Sequence, residues 1–158
     1  MRVLVLGLGN DLLGDDAVGL IVVRKLKGEI SGVDFKESNA MGIKLIDDLL
    51  GYDIVFIIDS IKTGGETGTV YEIDPESFRS IPTLSPHYTG VPEAIELARG
   101  LELDAPKTVK IFAIEVKDPY TVRVGLSEEL RKKLSEIVAY IKRRILEELS
   151  LLNPRNEH

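Results

Sequence analysis

Val3-Leu4-Val5-Leu6-Gly7-Leu8-Gly9-Asn10-Asp11-Leu12-Leu13-Gly14-Asp15-Asp16-Ala17-Val18-Gly19 is the stretch on which the reading of this chain turns. Its opening is apolar at consecutive positions, which is how a strand buried on both faces of a parallel sheet reads. The glycines that follow mark a tight turn, and from Asp16 to Leu26 the apolar positions fall at helical spacing. Such a turn needs glycine and one capping residue. It does not need Asp15 and Asp16 side by side with Asn10 ahead of them.

Working outward, Arg2 to Leu6 and Asp53 to Ile58 read as central strands, Val33 to Glu37 as an outer strand, and Val109 to Ile114 as a late strand. Gly68 to Ile73 is a further strand. The Gly64-Gly65 turn leaves no room for a crossover helix before it, so this strand is expected to be antiparallel and at an edge. Helical patterns cover Asp16 to Leu26, Gly42 to Leu50, Pro92 to Gly100 and Ser127 to Leu149. In the last, Ser127 is a cap with Glu128 and Glu129 in the first turn, and Leu130, Leu134, Ile137, Ile141, Ile145 and Leu149 form the buried stripe. The expected fold is α/β: a single three-layer domain over residues 1–150, with a mostly parallel twisted sheet of about five strands and helices on both faces. Residues 151–158 lose periodicity, contain Pro154 and are expected to fray.

At 158 residues, with 44% hydrophobic and 29% charged content, the chain can bury one core and is too short for two ordinary domains. A net charge of -6 argues against a nucleic-acid partner and favours a basic or neutral protein surface. With no cysteine, thiolate ligands, disulfides and cysteine nucleophiles are excluded. No signal-peptide pattern and no apolar run of membrane-spanning length stand out, so a cytoplasmic protein without membrane attachment is expected.

In an open α/β sheet, ligands bind beyond the carboxyl ends of the strands. Three features converge there: the Asp15-Asp16 pair, Asp59 at the end of its strand, and a loop carrying His87. Two carboxylates and an imidazole make an O,O,N set for nickel, zinc or a similar divalent ion. Each residue also has a plainer reading. Asp16 is equally placed to cap the following helix, Asp59 to satisfy loop amides, and His87 to decorate a polar loop. Glu115 and Asp118 read as salt-bridge or loop-capping residues, and Ser60 as a loop cap outside any G-x-S-x-G context. The dinucleotide fingerprint is broken at Leu12, and neither a P-loop nor an H-E-x-x-H motif is present.

These residues resemble the nickel-iron hydrogenase maturation endopeptidases. Gly7, Gly9, Asn10, Leu12, Asp15, Asp16 and Gly19 match that family's G-x-G-N-x-L-x-x-D-[DE]-x-x-G pattern, Val55 to Asp59 its apolar strand ending in aspartate, and Ser85-Pro86-His87 its loop histidine. The resemblance implies that Asp16, Asp59 and His87 form the catalytic and metal-binding site. It implies that the metal is nickel already inserted into the precursor of a hydrogenase large subunit, with no organic cofactor. It further implies an endopeptidase that removes a C-terminal extension from that precursor. A monomer is expected to suffice for docking one large precursor, and a dimer is also compatible with the sequence. The alternative is a nickel-binding maturation chaperone that uses the same residues without cleavage. The chain departs from the family's Asp-Gly-Gly type segment at Glu37-Ser38-Asn39-Ala40-Met41-Gly42, which leaves the client hydrogenase unassigned.

Overall fold

The computed structural model describes residues 1–75 and 91–152. Five strands, β1 (Val3–Leu8), β2 (Asp34–Ser38), β3 (Ile54–Ile61), β4 (Val70–Ile73) and β5 (Thr108–Glu115), form one sheet in the order β2-β1-β3-β5-β4. Strands β2, β1, β3 and β5 run parallel, and β4 pairs antiparallel with β5 at the edge. Among the described residues there are four α-helices, α1 (Val18–Leu26), α2 (Ile46–Leu49), α3 (Val91–Gly100) and α4 (Glu128–Leu152). The expected α/β architecture, with its antiparallel edge strand, is the one observed.

Strand alternation sorts the core into two layers. Val3, Val5, Ile54, Phe56, Ile58, Phe112 and Ile114 pack with α1 and with Leu130, Ile137, Ile141 and Ile145 of α4. Leu4, Leu6, Val55, Ile57, Ile61 and Ile111 face the other way, against Leu45, Leu49 and Ile95. The chain passes from β1 to β2 on one side and then returns across β1 to β3, so α1 and α2 cover opposite faces. The strand order therefore reverses between β1 and β3.

Several boundaries move from their sequence-based positions. Strand β1 runs to Leu8, and β3 runs to Ile61 because its ladder with β5 continues through Ser60↔Ile114 and Ile61↔Glu115. Asp59 consequently lies inside a strand and not at its end. The helix expected from Asp16 begins at Val18, after a 3-10 turn over Gly14–Ala17. The segment from Gly42 divides into a 3-10 turn (Gly42–Leu45) and the short α2. Helix α4 continues to Leu152, two residues into the stretch expected to fray, and residues 153–158 lie outside the described residues. Among the described residues, no helix is long and apolar enough to cross a membrane.

Three glycines of the opening stretch set how closely β1, α1 and β3 approach. A Cβ on Gly19 would stand 2.3 Å from the Ile58 carbonyl oxygen and 2.6 Å from that of Leu8. One on Gly7 would stand 2.6 Å from the Gly19 carbonyl oxygen, and one on Gly9 would stand 2.2 Å from that of Asp16. These obstacles are backbone atoms, so no side-chain rotation relieves them. Gly19→Ala is accordingly expected to destabilise the domain by about 1–3 kcal/mol, the usual range for overpacking, measured by denaturant unfolding.

The edge strand is fastened by charge. Glu72 of β4 meets Arg144 at 3.0 Å and Lys110 at 3.1 Å, Tyr140 donates to it at 2.8 Å, and Glu148 bridges Lys110 and Arg144. Arg144, helped by Tyr140 and Lys110 and opposed by burial, holds the Glu72 carboxyl at about 2, below its ordinary 4.5. A depressed carboxyl contributes stability that is full above its unfolded value and is lost as pH falls toward the folded one. The thermal-stability gap between wild type and Glu72→Gln is therefore expected to be widest above pH 4.5 and to close between 4.5 and about 2.

Candidate functional site

The strand order reverses between β1 and β3, and the carboxyl edge of the sheet at such a reversal is the usual ligand position in this architecture. Asp16 reaches that edge on the 3-10 turn after β1. Its carbonyl lies so close to Gly9 that a Cβ there would stand 2.2 Å from it, so the turn packs directly on the end of β1. Neither this turn nor α1 has a side-chain cap bond, so Asp16 is not acting as an N-cap.

Asp16 is 5% exposed, and its Oδ1 accepts a hydrogen bond from Ser60 Oγ at 2.8 Å. Asp59 is fully buried, and its Oδ1 accepts the Ser60 amide at 2.7 Å. Ser60 thus bonds both carboxylates, one through its backbone and one through its side chain. This bridging was missed in the sequence, where Ser60 reads as a loop cap. The signal that could have found it is alternation: Asp59 shares a face with Ile57 and Ile61, so Ser60 must point toward the α1 face, where Asp16 arrives.

Asp15 has a different task. It is 2% exposed, and its two oxygens accept the Ser127 amide at 2.7 Å and the Ser127 hydroxyl at 2.9 Å. Ser127 Oγ in turn accepts the Leu130 amide at 3.4 Å, the N-cap bond expected for α4. Arg123 stands 3.8 Å from Asp15. The Arg123 amide donates to the Leu12 carbonyl at 2.9 Å, and the Gly14 amide donates to the Arg123 carbonyl at 2.8 Å. Gly14 takes a left-handed φ of +55°, which puts its amide in position for that bond. The first loop is therefore sewn to the loop after β5 and to the start of α4.

Glu115 is buried at the end of β5 and works as the loop cap its sequence position suggested. It accepts from the Thr63 amide at 2.8 Å, the Thr63 hydroxyl, the Gly65 amide at 3.2 Å and the Tyr71 hydroxyl at 3.1 Å, ordering the loop after β3. Asp118 is exposed and caps its own turn through Thr121 and the Tyr120 amide. The Thr121 hydroxyl, with those two amides, holds its carboxyl below the usual range. His87 lies outside the described residues. Among the described residues, no group of three His, Cys, Asp or Glu is gathered closely enough to hold a metal ion. The buried Asp16 and Asp59 carboxylates are nevertheless oxygen donors of the type that bind divalent cations.

The fold and this edge define the class: an open, doubly wound α/β domain with acidic side chains at its switch point. A family model described as hydrogenase maturation protease matches residues 21–144, and the chain belongs to that family. The matched span contains Asp59 and starts after Asp16, so membership does not rest on the opening motif.

Hydrogenase 2 maturation protease of Escherichia coli (strain K12) is 31% identical over 133 residues, covering 80% of each chain. Hydrogenase expression/formation protein HupD of Thiocapsa roseopersicina is 29% identical over 143 residues, covering 87% of this chain and 64% of its own length. In fold, the chain is similar to the hydrogenase maturating endopeptidase HybD from E. coli, with a TM-score of 0.77, 23% identity and 94% of each chain covered. It is also similar to the [NiFe] hydrogenase maturation protease HybD from Thermococcus kodakarensis, with a TM-score of 0.70, 24% identity, and 90% of this chain and 98% of the other covered.

Truncating Asp15 removes the acceptor for two donors at the head of α4. Asp15→Ala is expected to lower stability by about 1–3 kcal/mol and to speed hydrogen exchange at the Ser127 and Leu130 amides.

Proposed function

We propose that this protein is an endopeptidase that removes a C-terminal extension from the nickel-loaded precursor of a nickel-iron hydrogenase large subunit. The observation that carries this reading is the pair of buried carboxylates, Asp16 and Asp59, joined through Ser60 at the switch point. Family membership supports it. The nickel arrives as part of the substrate, where Asp16, Asp59 and His87 grip it and so align the neighbouring peptide bond. Holding the reacting groups in one geometry supplies much of the rate.

The attacking group is water. The chain has no cysteine, and the Ser60 hydroxyl is committed to Asp16 through its hydrogen bond. A carboxylate such as Asp16 takes the proton as water adds to the scissile carbonyl, and gives it to the departing amide nitrogen as the C–N bond breaks. Loss of the extension then lets the large subunit close over its metal. Exposed Leu12, Tyr120, Val122 and Val124, on the loops sewn together beside Asp16, suit a protein surface as the partner. The protein acts as a cytoplasmic monomer in this reading.

The test is conversion of a purified nickel-loaded precursor, followed by mass spectrometry of its C-terminus. Asp16→Asn, Asp59→Asn and His87→Ala are each expected to slow processing by about 10²–10⁴-fold, the usual worth of a positioned acid or base. Normal rates in these variants overturn the site assignment. A wild-type protein that binds the precursor without shortening it overturns the protease reading in favour of a chaperone.

A further inference from the structure

We infer that Ser60 is a positioning residue for the metal-gripping carboxylates, holding Asp16 and Asp59 in the relative geometry that a divalent ion requires. The inference rests on the reading of those two residues as metal-binding. Ser60 is buried in β3 and paired across the sheet with Ile114, so its backbone is immobilised by the ladder. Its amide donates to Asp59 Oδ1 at 2.7 Å and its hydroxyl to Asp16 Oδ1 at 2.8 Å.

Asp16 comes from a turn and Asp59 from a strand, and these segments are far apart in sequence. Ser60 makes the orientation of the turn carboxylate answer to the strand. A hydrogen-bond donor on a ligating carboxylate fixes its rotation and offsets its negative charge, and loss of such a partner typically weakens metal binding by about 10–100-fold. The hydroxyl does not attack the substrate. Its hydrogen is donated to Asp16 Oδ1 at 2.8 Å, an acceptor assigned here to the metal.

Calorimetric titration with nickel(II) and with cadmium(II) tests this on the purified protein, without precursor. Ser60→Ala is expected to bind about 10–100-fold more weakly than wild type, while its circular dichroism stays native. Ser60→Thr keeps the hydroxyl and is expected to recover most of the affinity. With precursor, Ser60→Ala is expected to raise KM more than it lowers kcat, since the lost contact acts on the metal grip.

Wild-type affinity in Ser60→Ala overturns the inference and leaves the metal site standing. Absence of metal binding in wild type overturns both. Weakened binding in Ser60→Ala, rescued in Ser60→Thr, upholds the inference even if no precursor is cleaved, and in that case only the protease reading falls. An acyl adduct on Ser60 found by mass spectrometry overturns the positioning role in favour of a nucleophile.

Discussion

Everything at the carboxyl edge depends on a backbone contact that only glycine permits. Gly19 lies against the Ile58 and Leu8 carbonyls, Gly7 against the Gly19 carbonyl, and Gly9 against that of Asp16. These contacts draw the start of α1 over the junction of β1 and β3. Close packing of this kind transmits displacement instead of absorbing it, because interiors have little free volume. The position of Asp16 is thus decided by the glycines, and the orientation of its side chain by Ser60.

Adjacent acids in the motif have divided labour. Asp15 turns to the α4 side and satisfies Ser127, while Asp16 turns to β3 and meets Ser60. Four carboxylates, those of Asp15, Asp16, Asp59 and Glu115, are buried in or beside the loops of one edge. Burial of ionised carboxylates is costly unless hydrogen bonds replace water. Amides and hydroxyls provide those bonds here, most completely at Glu115.

The architecture was legible because its local signals agreed with one another. Apolar runs at β1 and β3 gave central strands, that at β5 gave a late strand, the short loop at Gly64-Gly65 gave an antiparallel edge, and the stripe from Leu130 to Leu149 gave α4. Where β3 ends was not legible, since a strand carrying Asp-Ser after five apolar residues looks finished. Only the ladder with β5 carries it on to Ile61. The role of Asp15 was hidden for a related reason: its partner is another capping serine, and sequence supplies no cue that two caps will meet. The Ser60 bridge needed both pieces of knowledge, the extra length of β3 and the landing point of the turn.

The bond from Asp15 to Ser127 spans 112 positions of the chain. During synthesis, which proceeds from the N-terminus, β1 and its glycine turn emerge first, yet the turn's final anchors at Arg123 and Ser127 arrive near the end. Contacts of such separation form late because the intervening chain must first be ordered. The acidic edge is therefore completed with the docking of the last helix, and a nascent chain carries the residues of the site well before it carries the site.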